Sequence, residues 1–311
     1  TVYEDIGDSI VTNAIEGYNC CILAYGQTGS GKTHTMLGGK EDEGLIPRIA
    51  KSLLLMANRK KEAEGAKWDY HVEVSYMEIY AEKVYDLLGS ATGHSDPLRI
   101  RYHETTGFQV QGLRKLAITT YDDMQRFMDK GNARRTTAST EMNDRSSRSH
   151  AIFLVTFKQY SYSQTKHKLK EKTATIFMVD LAGSERVEAS GVSGVGLREA
   201  IDINQSLVTL GVVITKLVKS QRPGGSKEHI PFRDSALTRI LSEAIGGNSK
   251  TYIIAAISPV DANYNESLNT LRYADNAKKI VNRVAVNENI EGDLIAALQD
   301  EIAALKTQLG E

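Results

Sequence analysis

The sequence has almost no cysteine, no long apolar run and almost no net charge, and each shortage excludes something. Its two cysteines, Cys20 and Cys21, are adjacent in a run that reads as a buried strand. Strand neighbours point to opposite faces, so no disulfide is expected between them and a reducing compartment is the natural setting. The longest apolar runs, such as Tyr252 to Ile257, are far too short to cross a bilayer, and no secretory leader is visible. With a net charge of −1, a polyanionic partner must be met by a local basic patch rather than by overall charge. Internal repeats and low-complexity segments are missing as well. So is an initiator methionine: the chain opens Thr1-Val2-Tyr3-Glu4-Asp5, as expected of a fragment whose start lies upstream.

What is present is ordinary globular material carrying one sharp motif. The 311 residues are 41% hydrophobic and 25% charged, enough to build a large core. Gly26-Gln27-Thr28-Gly29-Ser30-Gly31-Lys32-Thr33 fits the phosphate-binding pattern G-x-x-x-x-G-K-[ST] at every fixed position. The preceding run Cys20 to Tyr25 supplies the strand that such a loop needs, and a helical segment follows. Glycines let the backbone curl so that its N–H groups converge on phosphate oxygens. Lys32 is then expected on the β- and γ-phosphates of a nucleoside triphosphate and Thr33 on Mg²⁺.

Periodicity predicts helices over 2–18, Ile46 to Asn58, Tyr121 to Arg135, Leu197 to Val218, Ser235 to Ile245 and Glu266 to Ile280. In the fourth of these, Ile203, Leu207, Leu210, Ile214 and Leu217 form the apolar face, most simply core packing. Acids open the helix from Tyr121, and Arg134 and Arg135 close it, as the helix dipole favours. Strands are predicted at Tyr70 to Tyr80, Leu98 to Arg101, Phe108 to Ile118, His150 to Tyr160, Ala174 to Val179 and Tyr252 to Ile257. Interleaved strands and helices imply an α/β fold with helices on both faces of the sheet.

Two further clusters surround the phosphate loop. Thr175 to Asp180 is an apolar run ending in a carboxylate, a pattern that often arises by chance and equally suits support of a metal ion. Gly183 three residues on and Glu185, a candidate proton acceptor, favour the second reading. Asn143-Asp144-Arg145-Ser146-Ser147-Arg148-Ser149-His150, read alone, is most simply a solvated polar loop. Beside a nucleotide it would supply hydroxyls for a metal ion and attacking water, and a cation for developing charge.

Together, Gly26 to Met36, Asn143 to His150 and Asp180 to Glu185 resemble the nucleotide site of the kinesin motor domain. His229 to Ser235 and Asn269 to Ala274 resemble two more kinesin signatures, in family order over essentially the whole chain. The resemblance implies a P-loop NTPase fold with a mostly parallel central sheet, and ATP and Mg²⁺ as ligands. It implies that Thr33 and Ser147 hold Mg²⁺ with Asp180 behind them, that Ser146 places the lytic water and that Gly183 senses the γ-phosphate. Arg148 and Glu185 would close a salt bridge, Glu185 would aid proton removal, and His34 would stack on adenine. Asn143 and Asn204 would be hydrogen-bonding residues tied to the switching loops. The helix from Leu197 resembles the relay helix, which carries the nucleotide state to the track.

The implied partner is the microtubule, in the cytoplasm, with neither nucleic acid nor membrane involved. Lys216, Lys219, Lys227, His229, Arg233 and Arg239 are the candidate contacts for acidic tubulin. The chain departs from several kinesins in having Ile201, Gln205 and Ala236 where those have lysine, and a short, modestly basic loop at Gln221 to Lys227. Weaker, salt-sensitive binding is therefore expected. Residues 1–279 would be the motor, 280–290 the neck linker of a plus-end-directed motor, and 291–311 the start of a neck helix. There Ile295, Leu298, Ile302, Leu305 and Leu309 make a short heptad seam suited to a parallel homodimer, or to a helix folding back on its own core. Ser75 to Tyr80 and the neck composition lean toward the vesicle-transporting class three kinesins. The adenine-packing segment and first strand usual in the family are expected upstream of Thr1. A nucleotide-binding adaptor is disfavoured by the intact Ser146, Ser147, Arg148, Gly183 and Glu185, and a GTPase by the lack of Asn-Lys-x-Asp. A depolymerase remains open.

Overall fold

The run Cys20–Tyr25 forms a strand, β1, whose first five residues are fully buried because both of its faces are covered. The computed structural model describes residues 1–39, 41–89, 96–105, 107–137, 145–163, 168–185, 195–225 and 228–291. Before β1 a π-helical turn, Tyr3–Gly7, runs into α1 (Asp8–Glu16); α2 (Lys32–Met36) and α3 (Leu45–Glu64) follow β1. Then come β2 (Trp68–Tyr80), β3 (Lys83–Asp86), β4 (Arg99–His103), β5 (Gly107–Gln111), β6 (Leu116–Ile118) and α4 (Tyr121–Thr137). The second half holds β7 (His150–Ser163), β8 (Lys168–Asp180), α5 (Val195–Ser220), α6 (Ala236–Ile240), β9 (Lys250–Ala255), α7 (Tyr264–Ala277) and β10 (Glu288–Glu291).

Eight strands form one sheet in the order β3-β2-β7-β8-β1-β9, with β6 paired to β2 and β10 to β8; β4 and β5 form a separate hairpin. The alternation of β1 divides the core in two. Cys20, Ile22 and Ala24 enter a cluster with residues of α1, α3 and α4, while Cys21 and Leu23 enter another with residues of α5 and α6. Helices therefore cover both faces, as the interleaving implied. Leu207, Leu210, Ile214 and Leu217 of α5 are buried in the second cluster. Among the described residues both cysteines are free thiols, on opposite faces of β1.

The expectation of a mostly parallel sheet is corrected: the sheet is mixed. β1 is parallel to β8 and β9, whereas β2–β3, β2–β6, β2–β7, β7–β8 and β8–β10 are antiparallel. The reason is connection length. β7 and β8 are successive strands, and β2 turns into β3 through Ala81 and Glu82 alone, both left-handed at φ 46° and 60°. Two residues with positive φ reverse a strand directly, which no parallel crossover of that length can do. Neither residue is a glycine or asparagine, so this hairpin carries no sequence signal. The helix expected over Ser235 to Ile245 stops early, at Ile240. Beyond it the Ala244 carbonyl accepts from Thr251 Oγ1 and Asn282 Nδ2 instead of extending a helical ladder.

Candidate active site

β1 delivers the phosphate loop, and two glycines show why that loop needs their conformation. Gly26 has φ 154°, and a Cβ there would run into the Ala256 carbonyl oxygen. Gly31 has φ 94° and would aim a Cβ into open space with nothing within 4 Å, the space that a phosphate group needs. Thr28, Gly29, Gly31, Lys32, Thr33, His34 and Ser147 line a cavity of about 290 Å³ with Leu181. Sequence-distant residues thus meet as the motifs implied. Ser30 Oγ donates to the Gln27 carbonyl at 2.8 Å, as does Lys32 Nζ at 2.8 Å. Lys32 is buried, and that burial pulls its pKa down, with Arg135 acting in the same direction and Asp180 and Glu185 opposing.

Asp180 ends β8 beside the loop because β1 and β8 pair in parallel, Ala24 opposite Asp180. Its Oδ2 accepts from Thr33 Oγ1 at 2.7 Å, while Oδ1 is buried without a hydrogen-bond partner among the described residues. A buried carboxylate oxygen left open beside two hydroxyl-bearing residues, Thr33 and Ser147, is a donor set that fits Mg²⁺, which accepts oxygen ligands and keeps waters and phosphates around it. Among the described residues there is no cluster of three His, Cys, Asp or Glu side chains for a metal. The fit therefore requires phosphate oxygens as co-ligands.

The residue that sequence reasoning missed is Arg135. Rather than only capping its helix, its guanidinium is 5% exposed and reaches inward, where Nη1 bonds Asp180 Oδ2 at 3.2 Å. Nη2 bonds the Ser149 carbonyl at 3.1 Å, and Nε lies 3.9 Å from Glu78 Oε1. A surface dipole partner and a buried ion pair look alike in sequence; only the inward turn of the helix end distinguishes them.

The loop after Asp180 is stitched to its neighbours by backbone bonds. Leu181 N–H donates to the Ala24 carbonyl at 3.2 Å, Gly183 N–H to that of Ser147 at 2.9 Å, and Ser184 N–H to that of Gly26 at 3.1 Å. Glu185 takes a different partner from the expected Arg148. Its carboxylate accepts from both the N–H and the hydroxyl of Thr28. Among the described residues no ion pair joins it to Arg148, whose Nη1 is buried without a hydrogen-bond partner. Ser146 sits in the 3-10 turn Arg145–Arg148 and Asn204 within α5, but their side chains lie outside the described residues, as does Asn143 altogether.

His150 opens β7 and is 2% exposed. Burial, reinforced by the charges of Arg135 and Lys32, lowers its pKa from 6.5 to about 3. Below pH 6.5 the unfolded chain takes up a proton that the folded ring refuses. Stability is therefore expected to fall as the pH drops toward 3, by about 1.4 kcal/mol per pH unit from this residue. Urea midpoints between pH 7 and pH 4.5 check this: His150→Gln flattens the acid limb, and an unchanged slope would refute the assignment.

The candidate track residues gather near α5 and α6. Lys216 Nζ lies 3.4 Å from the His229 carbonyl and 4.0 Å from Glu228; Lys219 is exposed, and Lys227 lies outside the described residues. Arg233 is exposed with its guanidinium 5.8 Å from the Tyr102 ring centroid. Arg239 shares a cavity of about 480 Å³ with Arg99, Arg101 and Glu82. Arg99 and Arg101 were not singled out by sequence, although their i, i+2 spacing on a strand puts them on one face. The described helices include none long and apolar enough to cross a membrane.

A phosphate loop after β1, with a carboxylate delivered by the adjacent parallel strand, defines a P-loop nucleoside triphosphatase. Within that class, the kinesin motor domain family matches residues 1–280, and the chain belongs to it. It is 48% identical over 310 residues to the kinesin-like protein KIF1C of Homo sapiens and 46% identical over 308 residues to human KIF13B. These matches cover 99% of this chain but only 28% and 17% of those proteins, so the chain spans about a quarter or less of them. The relatives agree with the class three likeness. A solved KIF14 dimer, in complex with a microtubule and AMP-PNP, is similar with a TM-score of 0.84 and 42% identity, over 97% of this chain and 81% of that one.

Proposed function

We propose that this chain is a microtubule-stimulated ATPase that converts hydrolysis into stepping along microtubules, toward the plus end. The observation that carries the reading is Asp180. One of its oxygens holds Thr33 of the phosphate loop and the other is open, at the head of the loop whose N–H groups bind Ser147 and Gly26. A carboxylate so placed registers what happens at the phosphates and passes it into the segment leading toward α5. The family and the microtubule-bound KIF14 likeness support tubulin as the track.

In this reading the phosphate loop, Lys32 and the first turn of α2 bind and orient the triphosphate, and His34 at the cavity rim stacks on adenine. Thr33 and Ser147 hold Mg²⁺ with Asp180 behind them; when bound, the ion neutralises charge on the phosphates. Ser146 orients water, and Gly183 offers its N–H to the γ-phosphate by exchanging its bond to Ser147. Glu185 draws off the proton and pairs with Arg148 on leaving Thr28. Asn143 and Asn204 support that rearrangement.

Lys216, Lys219, Lys227, His229, Arg233 and Arg239, now joined by Arg99 and Arg101, form the face toward tubulin. The outward side of α5 adds the exposed Val208 and Val212, 59% and 41% exposed, where lysines are scarce. Residues 280–290 act as the neck linker after a motor domain of residues 1–279. Several bonds along the core support this. Gln221 clamps the Val281 backbone through both N–H and carbonyl, and Arg283 N–H bonds the Gly247 carbonyl. β10 then runs along β8. The heptad seam from Ile295 to Leu309, outside the described residues, dimerises with a second copy in the cytoplasm.

Steady-state ATPase across a salt series, with and without microtubules, tests the whole reading. Turnover should rise at least tenfold with microtubules at low ionic strength and fall steeply as the Debye length shrinks from about 30 Å to about 8 Å. Nucleotide binding without stimulated turnover would identify an adaptor instead.

A further inference from the structure

Among the groups that the proposed hydrolysis does not use, His150 has both of its ring nitrogens engaged. Its Nδ1 lies 3.0 Å from the Ala182 N–H and its Nε2 2.7 Å from Ser206 Oγ of α5. A backbone N–H can only donate, so Nδ1 carries the lone pair and Nε2 carries the proton, which it donates to Ser206. Ala182 stands between Asp180, bonded to Thr33, and Gly183, bonded to Ser147. Ala182 is fully buried and Ser206 is 2% exposed, so water is in no position to replace either bond.

We propose that His150 is a positioning residue, a single-tautomer strut that ties the loop following Asp180 to helix α5. A shift of that loop moves Ala182, and the ring, with both nitrogens committed, passes the displacement to Ser206. Ser206 lies on the turn of α5 between the exposed Gln205 and Val208, so the strut acts on the helix beside its outward face. Its origin on β7, directly after Ser147-Arg148-Ser149, places it where both phosphate-facing loops meet α5. The strut rests on the reading of α5 as the carrier of the nucleotide state.

Hydrogen exchange of the full chain, followed on peptides covering residues 205–218 with and without a non-hydrolysable ATP analogue, tests it. The wild type and His150→Gln, whose amide offers one acceptor and one donor in the ring's place, should show an analogue-induced change of about fivefold or more in exchange rate. His150→Leu and Ser206→Ala should lose that change while still binding the analogue, and the double variant should lose no more than either alone. A purely structural role would lower stability yet leave the induced change intact, and that result overturns the strut. His150→Gln behaving like His150→Leu overturns it too. Should His150→Leu not fold, Ser206→Ala decides alone, since it removes only a hydroxyl. If wild-type α5 does not respond while the analogue binds, the carrier role of α5 fails, and the strut with it.

Discussion

A Lys32→Ala variant loses ATP binding by about 100-fold or more and turnover by about 10³-fold, the scale of removing a charge-assisted donor from a pre-organised site. Lys32 is only 7% exposed, and its ammonium already lies against the Gln27 carbonyl at 2.8 Å. Its orientation therefore costs little when phosphates arrive. Removing it also takes away one of the cations that offset the Asp180 and Glu185 carboxylates, leaving Asp180 with Arg135 alone as the polyanion arrives. Folding should survive, because a buried ammonium whose pKa is depressed by burial is not a net source of stability. Titration with a fluorescent ATP analogue measures the effect. Affinity within threefold of the parent would remove the phosphate-loop assignment.

A Glu185→Ala variant stops turnover by about 10²- to 10⁴-fold, the range associated with a positioned proton acceptor, while ATP and microtubule binding persist. The contact with Thr28 sharpens the direction. The carboxylate uses the Thr28 N–H, a donor that a phosphate would also seek, so its removal should leave ATP affinity unchanged or tighter. Single-turnover hydrolysis on microtubules, with ATP binding measured on the same sample, separates the two effects. Parent-rate hydrolysis would show that Glu185 is not the acceptor. A large loss of ATP affinity would instead make its bond to Thr28 part of the binding site.

Much of the site was legible because its residues are consecutive. Gly26 to Thr33 is one loop, and the backbone of that loop is itself the binding surface, so spacing alone carries the chemistry. Asp180 was legible less directly: an apolar run ending in a carboxylate often arises by chance, and it was Gly183 and Glu185 just after it that pointed to a phosphate site. The partners of these groups were not legible. Arg135 reads as a helix-end cation until α4 is packed on the sheet, and Glu185 reads as the mate of Arg148 until its carboxylate is found on Thr28. His150 closed a motif without a role in it, because Ala182 and Ser206 lie 32 and 56 residues away.

The fold divides in the same way. Alternating and helical periodicities place most elements within a few residues, because burial on one face writes itself into local sequence. They are silent about pairing direction, so the expected mostly parallel sheet became a mixed one with β1 alone parallel on both sides. The polar half of β8, Lys168 to Thr173, is a strand through its pairing to β7 and β10 and not through its own pattern. By itself the sequence determined that this chain binds a nucleoside triphosphate and resembles kinesin motor domains. Only the tertiary structure decided which side chains touch Asp180, Thr28 and Ser206. Those contacts join segments far apart in the chain, and their energies depend on burial and distance, which no local pattern records.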